Sequence, residues 1–586
     1  MQDELRRRAN EWIEGDVDET TRAELTALVA VVDRGDAAAE ADLADRFAGV
    51  LEFGTAGLRG VIGAGPNRMN RAVVIRATHG VAMHLLASFD DSKKRGVVIG
   101  YDGRRLSREF AEDTACVLAA HGIVAHLFSE VGPTPLTAFA VKHLGAVGGV
   151  MVTASHNPPE YNGYKVYWAN AAQIIPPTDA HIANAIDSAP RGIEVPRMDV
   201  AIAIEKGLIV TVSADVERKY TDAVRALSIR AGGRRDLPIV YTPLHGVGNK
   251  LARLALAEAH FTKVFSVPEQ AEPDGAFPTV AFPNPEEKGA MDLSFALAKK
   301  ENAFLVLAND PDADRLAVAV PAKVGPEYVQ LTGNQVGVLL GHYLLTRGPQ
   351  DGKRVVLASI VSSPMLGAIA RKLGVAYEET LTGFKWIANR AMALEREQGL
   401  RFVFGYEEAL GYTVGDVVRD KDGVSAAMIF AEMAAVLRGE DTSVLEQLER
   451  IHREFGLFVS SQVNVTRKGT EGAAEIRALM GRLRGVSVDR IGPLSVVAKS
   501  DFVARERIAS DGSKTELPLP ETNMVGFELE GGSRILARPS GTEPKVKFYF
   551  DVVTEIAKGE EFATAESRAN EQMSALRDAF VKLAGT

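Results

Sequence analysis

Short apolar runs alternate with longer helical patterns along most of the chain, and that alternation constrains the fold more than any other feature. Strand–helix–strand order marks α/β units with largely parallel sheets, because a parallel neighbour needs a long crossover that a helix supplies. In the first third VVIGYD, IVAHLF and GGVMVTAS read as strands, with a helix from Ser107 to Ala120 between two of them. After a charged, Pro-containing stretch at Ala189 to Asp199 the strands are IVYTPL, KVFSVP and FLVLAND, with helices around Val247 to Ala259 and Ala290 to Lys300. A second break at PAKVGPEYVQ precedes the strands RVVLASIVSS, VAYEET and FVFGYEE, then a long helix over AAMIFAEMAAVLRG. From about Glu440 the rhythm changes to a polar loop, ASDGSKTELPLPETN, the strand-like FELE and VKFYFDVV, and a terminal helix. A chain of 586 residues is too long for one hydrophobic core. Three α/β blocks and a distinct tail are therefore expected, divided at 1–205, 206–322, 323–445 and 446–586.

Charge and composition remove several classes of function. The net charge is −10 and the basic residues are scattered, the opposite of the basic face a nucleic-acid binder presents. A single cysteine, Cys116, excludes an intrachain disulfide and any zinc site built from several cysteines. The charged start MQDELRRRANEWIEGD has no apolar signal core, and no apolar stretch reaches the roughly 18 residues of a membrane span. A cytoplasmic protein without a membrane partner is expected. No complete G-x-G-x-x-G fingerprint, Walker A sequence or H-E-x-x-H occurs, so dehydrogenase, P-loop and zinc-protease readings fall.

In open α/β sheets ligands gather at the carboxyl ends of strands. The polar loops of this chain follow that rule. Ser155 leaves MVTAS and enters HNPPEYNGYK, where a hydroxyl could act as nucleophile or phosphate carrier. It lacks the flanking glycines of a hydrolase elbow, and an ordinary turn stays open on this segment alone. DPDADR sets Asp310, Asp312 and Asp314 at alternate positions after an apolar strand. Three gathered carboxylates repel one another unless a hard cation joins them, and an oxygen-only set suits Mg²⁺. An EF-hand is excluded because Arg315 and Pro321 stand where it needs Gly and Glu. Arg315 becomes a candidate substrate-binding residue instead. GYEEALGY offers Glu407 and Glu408 for sugar hydroxyls or a metal, although adjacent glutamates commonly face water. ARPSGTEPKVKFY joins Arg538, Ser540, Gly541, Thr542, Lys545 and Lys547, a mixture that wraps a phosphate or makes a plain hairpin turn.

In this order the four loops resemble those of the α-D-phosphohexomutase superfamily, the phosphoglucomutases and phosphomannomutases, from FGTAGLRG at Phe53 to VKFYF near Phe550. The resemblance implies an α/β protein of three similar domains with mixed, largely parallel sheets. A smaller C-terminal α+β domain of TATA-box-binding type completes it, and each domain sends one loop into a central cleft. It implies that Ser155 is a phosphoserine and that Mg²⁺ is held by its phosphate with Asp310, Asp312 and Asp314. Arg59 of GTAGLRG matches the family arginine near the transferring phosphate. His156 and Lys165 match residues that assist proton transfer and charge stabilisation, and Lys421 of VRDKDG matches a lysine proposed as general acid or base. Arg538, Ser540, Gly541 and Thr542 match the clamp on the phosphate that is not reacting, with Lys547 in place of a frequent arginine. The implied enzyme is an isomerase working as an intramolecular phosphotransferase on small-molecule sugar phosphates. It would interconvert sugar 1-phosphate and 6-phosphate, glucose before mannose, through a bisphosphate such as glucose 1,6-bisphosphate that also primes the serine. Many hexose mutases of the superfamily carry serine two positions after the first glutamate of the sugar loop, and here that position is Ala409. With TGFKW nearby, this departure is similar to the subgroup that includes phosphopentomutases. A phosphopentomutase and a sugar-bisphosphate synthase are accordingly the alternatives.

Overall fold

The computed structural model describes residues 2–230, 234–467, 469–540 and 545–585. The chain forms two compact units, Met1–Leu331 with Leu410–Gly439, and Thr332–Ala409 with Glu440–Thr586.

The first unit opens with three helices, Gln2–Gly15, Glu19–Val32 and Ala37–Arg46. Asp18 and Asp36 start the second and third by accepting the otherwise unpaired N–H groups of Thr20, Ala38 and Ala39. Ala9, Leu25, Leu43 and Phe47 bury the helices against one another and against Ala64. Beyond them lies a six-stranded sheet in the order Leu58–Val61, Tyr161–Trp168, Gly148–Val152, Val97–Tyr101, Ala125–Leu127, Ile209–Thr211. The last four strands are parallel, and Tyr161–Trp168 runs antiparallel to both its neighbours. Gly148–Val152 and Val97–Tyr101 are buried along their whole length, which is why they read as unbroken apolar runs. The sheet continues past residue 205 to Thr211. The polar Ala189–Asp199 break marks a surface passage, after which the chain returns and Ile209 enters the same core.

A second sheet in this unit has the order Tyr328–Gln330, Ala317–Pro321, Leu305–Ala308, Ile239–Thr242, Val264–Ser266. Its first two strands are antiparallel and the other three parallel. PAKVGPEYVQ, expected as a break, is a hairpin that adds Tyr328–Gln330 to the sheet edge. The helix Gly423–Gly439, buried on nearly every face, belongs here and packs on helix Asn249–Glu258.

In the second unit Arg354–Ser359 lies between Ala376–Thr380 and Arg401–Glu407, parallel to both. The C-terminal part is a separate antiparallel sheet in the order Leu457–Thr466, Lys545–Thr554, Arg534–Pro539, Val525–Leu529, Leu494–Asp501, Glu506–Ala509, Lys514–Glu516. Phe580 of the terminal helix Phe562–Ala584 meets Phe527, Phe548 and Phe550 edge-on, which fastens that helix to the sheet. Three α/β sheets, the first two mixed, and a fourth antiparallel sheet with helices are thus the architecture that the resemblance implied. No helix among the described residues is long and apolar enough to cross a membrane.

Candidate active site

Ser155 sits where the buried strand Gly148–Val152 runs out. Its backbone is left-handed, with φ 51°, and its N–H donates to Thr153 Oγ1 at 2.8 Å. Ser155 Oγ donates to Asp310 Oδ2 at 2.8 Å and lies 3.2 Å from His156 Nδ1. Gly163 backs this turn. A Cβ there would stand 2.5 Å from Thr153 O, so only glycine admits the close approach of the two strands. Gly163 is also the strand partner of Arg59, whose Nη1 donates to Asn157 Oδ1 at 3.2 Å. Burial, then the Arg315 and Arg59 charges, hold His156 well below the ordinary imidazole range, so the ring is neutral.

The three aspartates follow the buried strand Leu305–Ala308 and are themselves buried. One oxygen of each lies within 4.8 Å of one oxygen of the others. Asp312 Oδ2 accepts from Thr134 Oγ1 at 2.6 Å and Lys165 Nζ at 2.7 Å. Asp314 Oδ2 accepts from Lys165 Nζ at 2.9 Å and pairs with Lys421 Nζ at 3.2 Å. Gly246 lets the backbone close over this loop, since a Cβ there would lie 2.3 Å from Pro311 Cα. Arg315 Nε stands 4.0 Å from both Asp310 Oδ2 and Asp314 Oδ1. The three carboxylates thus face three cations, Lys165, Lys421 and Arg315.

Ionisation follows from that arrangement. Burial acts to lower the Lys165 pKa, but Asp312 and Asp314 outweigh it and hold the amine above its usual value. Burial acts to raise Asp312, and Lys165 reverses this, leaving the carboxyl well below the usual range. Asp310 is pushed well above by burial and by Asp312 and Asp314, which outweigh the Arg315 charge. Asp312 Oδ1 and Asp314 Oδ1 are buried without a hydrogen-bond partner among the described residues. A buried carboxylate oxygen left bare is costly. An all-oxygen triad with open, inward oxygens fits a hard divalent cation.

Lys421 is fixed by a second carboxylate. Asp420 Oδ1 lies 3.3 Å from Lys421 Nζ, while Asp420 Oδ2 accepts from Tyr167 OH and Gln173 Nε2, each at 2.7 Å. Neither Asp420 nor Thr134 was singled out by the sequence. Arg104 also escaped notice, although its guanidinium donates to four carbonyls of the serine loop. Its position in YDGRR, at the carboxyl end of a buried strand, is the signal that could have found it.

The sugar-loop and phosphate-loop residues lie in the second unit. Glu407 Oε1 accepts the Gly383 N–H at 2.6 Å. Glu408 is half-buried, its Oε2 accepting from Ser359 Oγ at 3.2 Å and Ser362 Oγ at 3.3 Å. Arg538 and Lys547 are directly opposite each other on neighbouring antiparallel strands, which puts two cations side by side. Ser540 N donates to Lys545 O at 2.7 Å across the mouth of the loop. Gly541 and Thr542 lie outside the described residues.

Comparison with known proteins decides the family. Residues 50–191, 218–323 and 332–454 match the models of phosphoglucomutase/phosphomannomutase α/β/α domains I, II and III. Mouse phosphopentomutase is 38% identical over 570 residues, covering 92% of this chain and 89% of that protein. The chain belongs to the phosphoglucomutase/phosphomannomutase family. It is a phosphosugar mutase, an isomerase that acts by phosphotransfer. The probable phosphomannomutase of Haemophilus influenzae is 42% identical over 490 residues, with 82% of this chain and 93% of that one covered. Human glucose 1,6-bisphosphate synthase is 37% identical over 533 residues, covering 87% and 85%. Among solved structures, a putative phosphomannomutase from Thermus thermophilus shares the fold, with a TM-score of 0.67 at 22% identity over 92% of this chain and all of that one.

Proposed function

We propose that this mutase interconverts hexose 1-phosphate and 6-phosphate, glucose before mannose, with Ser155 as the phosphoryl carrier. The observation that carries the reading is Ser155 Oγ held 2.8 Å from Asp310, beside two buried carboxylate oxygens that no donor among the described residues satisfies. Asp310, Asp312 and Asp314, with the Ser155 phosphate, would hold Mg²⁺, which supplies positive charge to the transferring phosphoryl group.

The protein's own groups divide the remaining work. In the forward half-reaction a sugar hydroxyl oxygen attacks the phosphorus on Ser155. The P–Oγ bond breaks, and the sugar becomes a bisphosphate such as glucose 1,6-bisphosphate. Lys421, uncharged before the step, is assigned the proton of that hydroxyl and then holds it as the cation paired with Asp314 and Asp420, while the departing Ser155 Oγ takes a proton from His156. Lys165 stays charged between Asp312 and Asp314 and serves as a fixed cation rather than a base. His156, neutral again and with Nδ1 3.2 Å from Ser155 Oγ, is assigned the Ser155 proton when the other phosphoryl group returns, the hydroxyl turning to it from Asp310. Arg59 and Arg315 supply charge for the reacting phosphate. Arg538, Ser540, Gly541, Thr542 and Lys547 are assigned the phosphate that does not react, and Glu407 and Glu408 the sugar loop. Four domains, the first reaching past Thr211, would each contribute one loop.

A second reading is a phosphopentomutase. Ala409 favours it by withholding a hydroxyl from the sugar loop, as does the similarity to mouse phosphopentomutase over 92% of the chain. Turnover of glucose, mannose and ribose 1-phosphates, each with and without glucose 1,6-bisphosphate, tests both. Hexose turnover that needs the bisphosphate primer is expected. Turnover of ribose 1-phosphate alone would replace the first reading with the second. Net synthesis of bisphosphate from an outside phosphoryl donor, without isomerisation, would overturn both.

A further inference from the structure

Ser155 is held in a backbone conformation that side-chain-bearing residues seldom adopt, at φ 51°. Such a conformation persists only where the surroundings over-determine it. Beside the contacts of Ser155 with Thr153 and Asp310, one guanidinium holds the carbonyls of the whole loop. Arg104 Nη2 donates to Ser155 O at 2.6 Å and to Asn157 O, and Nη1 donates to Pro158 O at 2.8 Å and Tyr161 O at 3.2 Å. The loop is therefore wrapped around the arginine with its carbonyls turned inward.

Arg104 is itself immobilised. Its N–H donates to Asp102 Oδ1 at 3.0 Å, its Nε faces Asp102 Oδ2 at 3.4 Å, and Asp102 Oδ1 accepts from Ser107 Oγ at 2.7 Å. The Phe277 ring covers the guanidinium carbon at 4.8 Å. Gly275 comes so near that a Cβ there would stand 2.9 Å from Arg104 Cα. Only 4% of the residue is exposed, so its donors serve the loop rather than a ligand.

We propose that Arg104 is the positioning residue for Ser155: its planar fork fixes the serine loop, and phosphoryl transfer depends on it although it touches no substrate. The proposal rests on Ser155 being the carrier. Lysine cannot replace the fork, because an ammonium lacks the two parallel pairs of in-plane donors that the four carbonyls use. Loosening the loop displaces Oγ from Asp310, and a displacement of about 1 Å at a reacting atom costs on the order of 100-fold in rate.

The test uses Arg104→Ala and Arg104→Lys in the full chain, with four readouts: kcat, KM, thermal midpoint, and phosphate on Ser155 by intact mass after glucose 1,6-bisphosphate. Arg104→Ala should still accept phosphate on Ser155, with kcat lowered about 100-fold and KM within about threefold of wild type. Arg104→Lys should fall between the two. If the alanine variant does not fold, the lysine variant decides alone, with an expected loss of at least about tenfold in kcat at unchanged KM. A kcat within about twofold of wild type in Arg104→Lys would overturn the proposal. So would a lowered thermal midpoint with unaltered kcat per folded molecule, which would leave Arg104 a purely structural role. Wild-type enzyme that turns over without ever carrying phosphate on Ser155 would instead remove the carrier reading on which the proposal stands.

Discussion

Replacing Lys165 by methionine keeps the length of the side chain and removes its charge from between Asp312 and Asp314. The two ion pairs broken span 2.7 and 2.9 Å, between side chains that are 7% exposed for the lysine and at most 1% for the aspartates. Stripping one partner from a buried ion pair costs about 3–5 kcal/mol, because the other charge stays behind uncompensated. That is the loss expected for Lys165→Met in the presence of a chelator. Mg²⁺ should change the outcome, since a divalent cation in the triad restores the missing positive charge. The loss should then shrink to about 2 kcal/mol, the worth of the charge-assisted hydrogen bonds alone. The pH dependence has a definite sign. Lys165 holds Asp312 below its unfolded value of 3.8, so the stabilisation is present above that pH and lost as pH falls through the folded value. The gap between wild type and variant should therefore narrow in acid. Calorimetric unfolding at pH 7 with EDTA or with Mg²⁺ measures the two losses, and a repeat at about pH 3, below the unfolded value of 3.8, measures the narrowing. Equal losses in both media, or a loss under about 1 kcal/mol without metal, would refute the charge accounting.

Three further outcomes are expected. Arg538→Ala should raise KM for every sugar phosphate by a similar factor of roughly ten- to a hundredfold, from the loss of a charge-assisted bond; steady-state kinetics on several sugars would expose a sugar-specific effect, which contradicts the clamp. Ala409→Ser should shift the hexose-to-pentose ratio of kcat/KM toward the hexose by no more than about tenfold, and an unchanged ratio would place Ala409 away from the sugar. Burial holds His342 down to about 4, against 6.5 for the free side chain, so its contribution is complete above pH 6.5 and is lost as pH falls to about 4. This should remove about 2–3 kcal/mol from the second unit, and His342→Gln should flatten that part of the pH–stability profile.

What the sequence revealed depended on how local each signal was. The helix Ser107–Ala120 and the strands around Ser155 and Asp310 were legible because periodicity and burial act over a few neighbouring residues. Ser155, Asp310, Asp312 and Asp314 stood out because unusual residue types were crowded at strand ends. Lys165 and Lys421 entered only through resemblance, and their meeting on Asp314 joins positions far apart in the chain. Thr134 and Arg104 act on partners 178 and 51 positions away, and Asp420, although next to Lys421, is itself held by Tyr167 from 253 positions away, relations no window of sequence displays. Ile209–Thr211 was hidden for a related reason. A polar break signals a surface passage, and only the returning strand's register against Ala125–Leu127 shows which sheet it rejoins. Glu408 shows how little of a side chain's surroundings a dipeptide displays. The adjacent glutamates read alike in sequence, whereas Glu407 is buried and Glu408 is half-buried with Ser359 and Ser362 donating to it.

The central claim is that Ser155 carries the phosphoryl group. Wild-type enzyme and Ser155→Ala should each be incubated with glucose 1,6-bisphosphate, then examined by phosphopeptide mass mapping alongside mutase turnover. One phosphate, on Ser155, is expected in the wild type, and neither phosphate nor turnover in a folded Ser155→Ala. Substantial turnover in the alanine variant, or phosphate on a different residue, would contradict it.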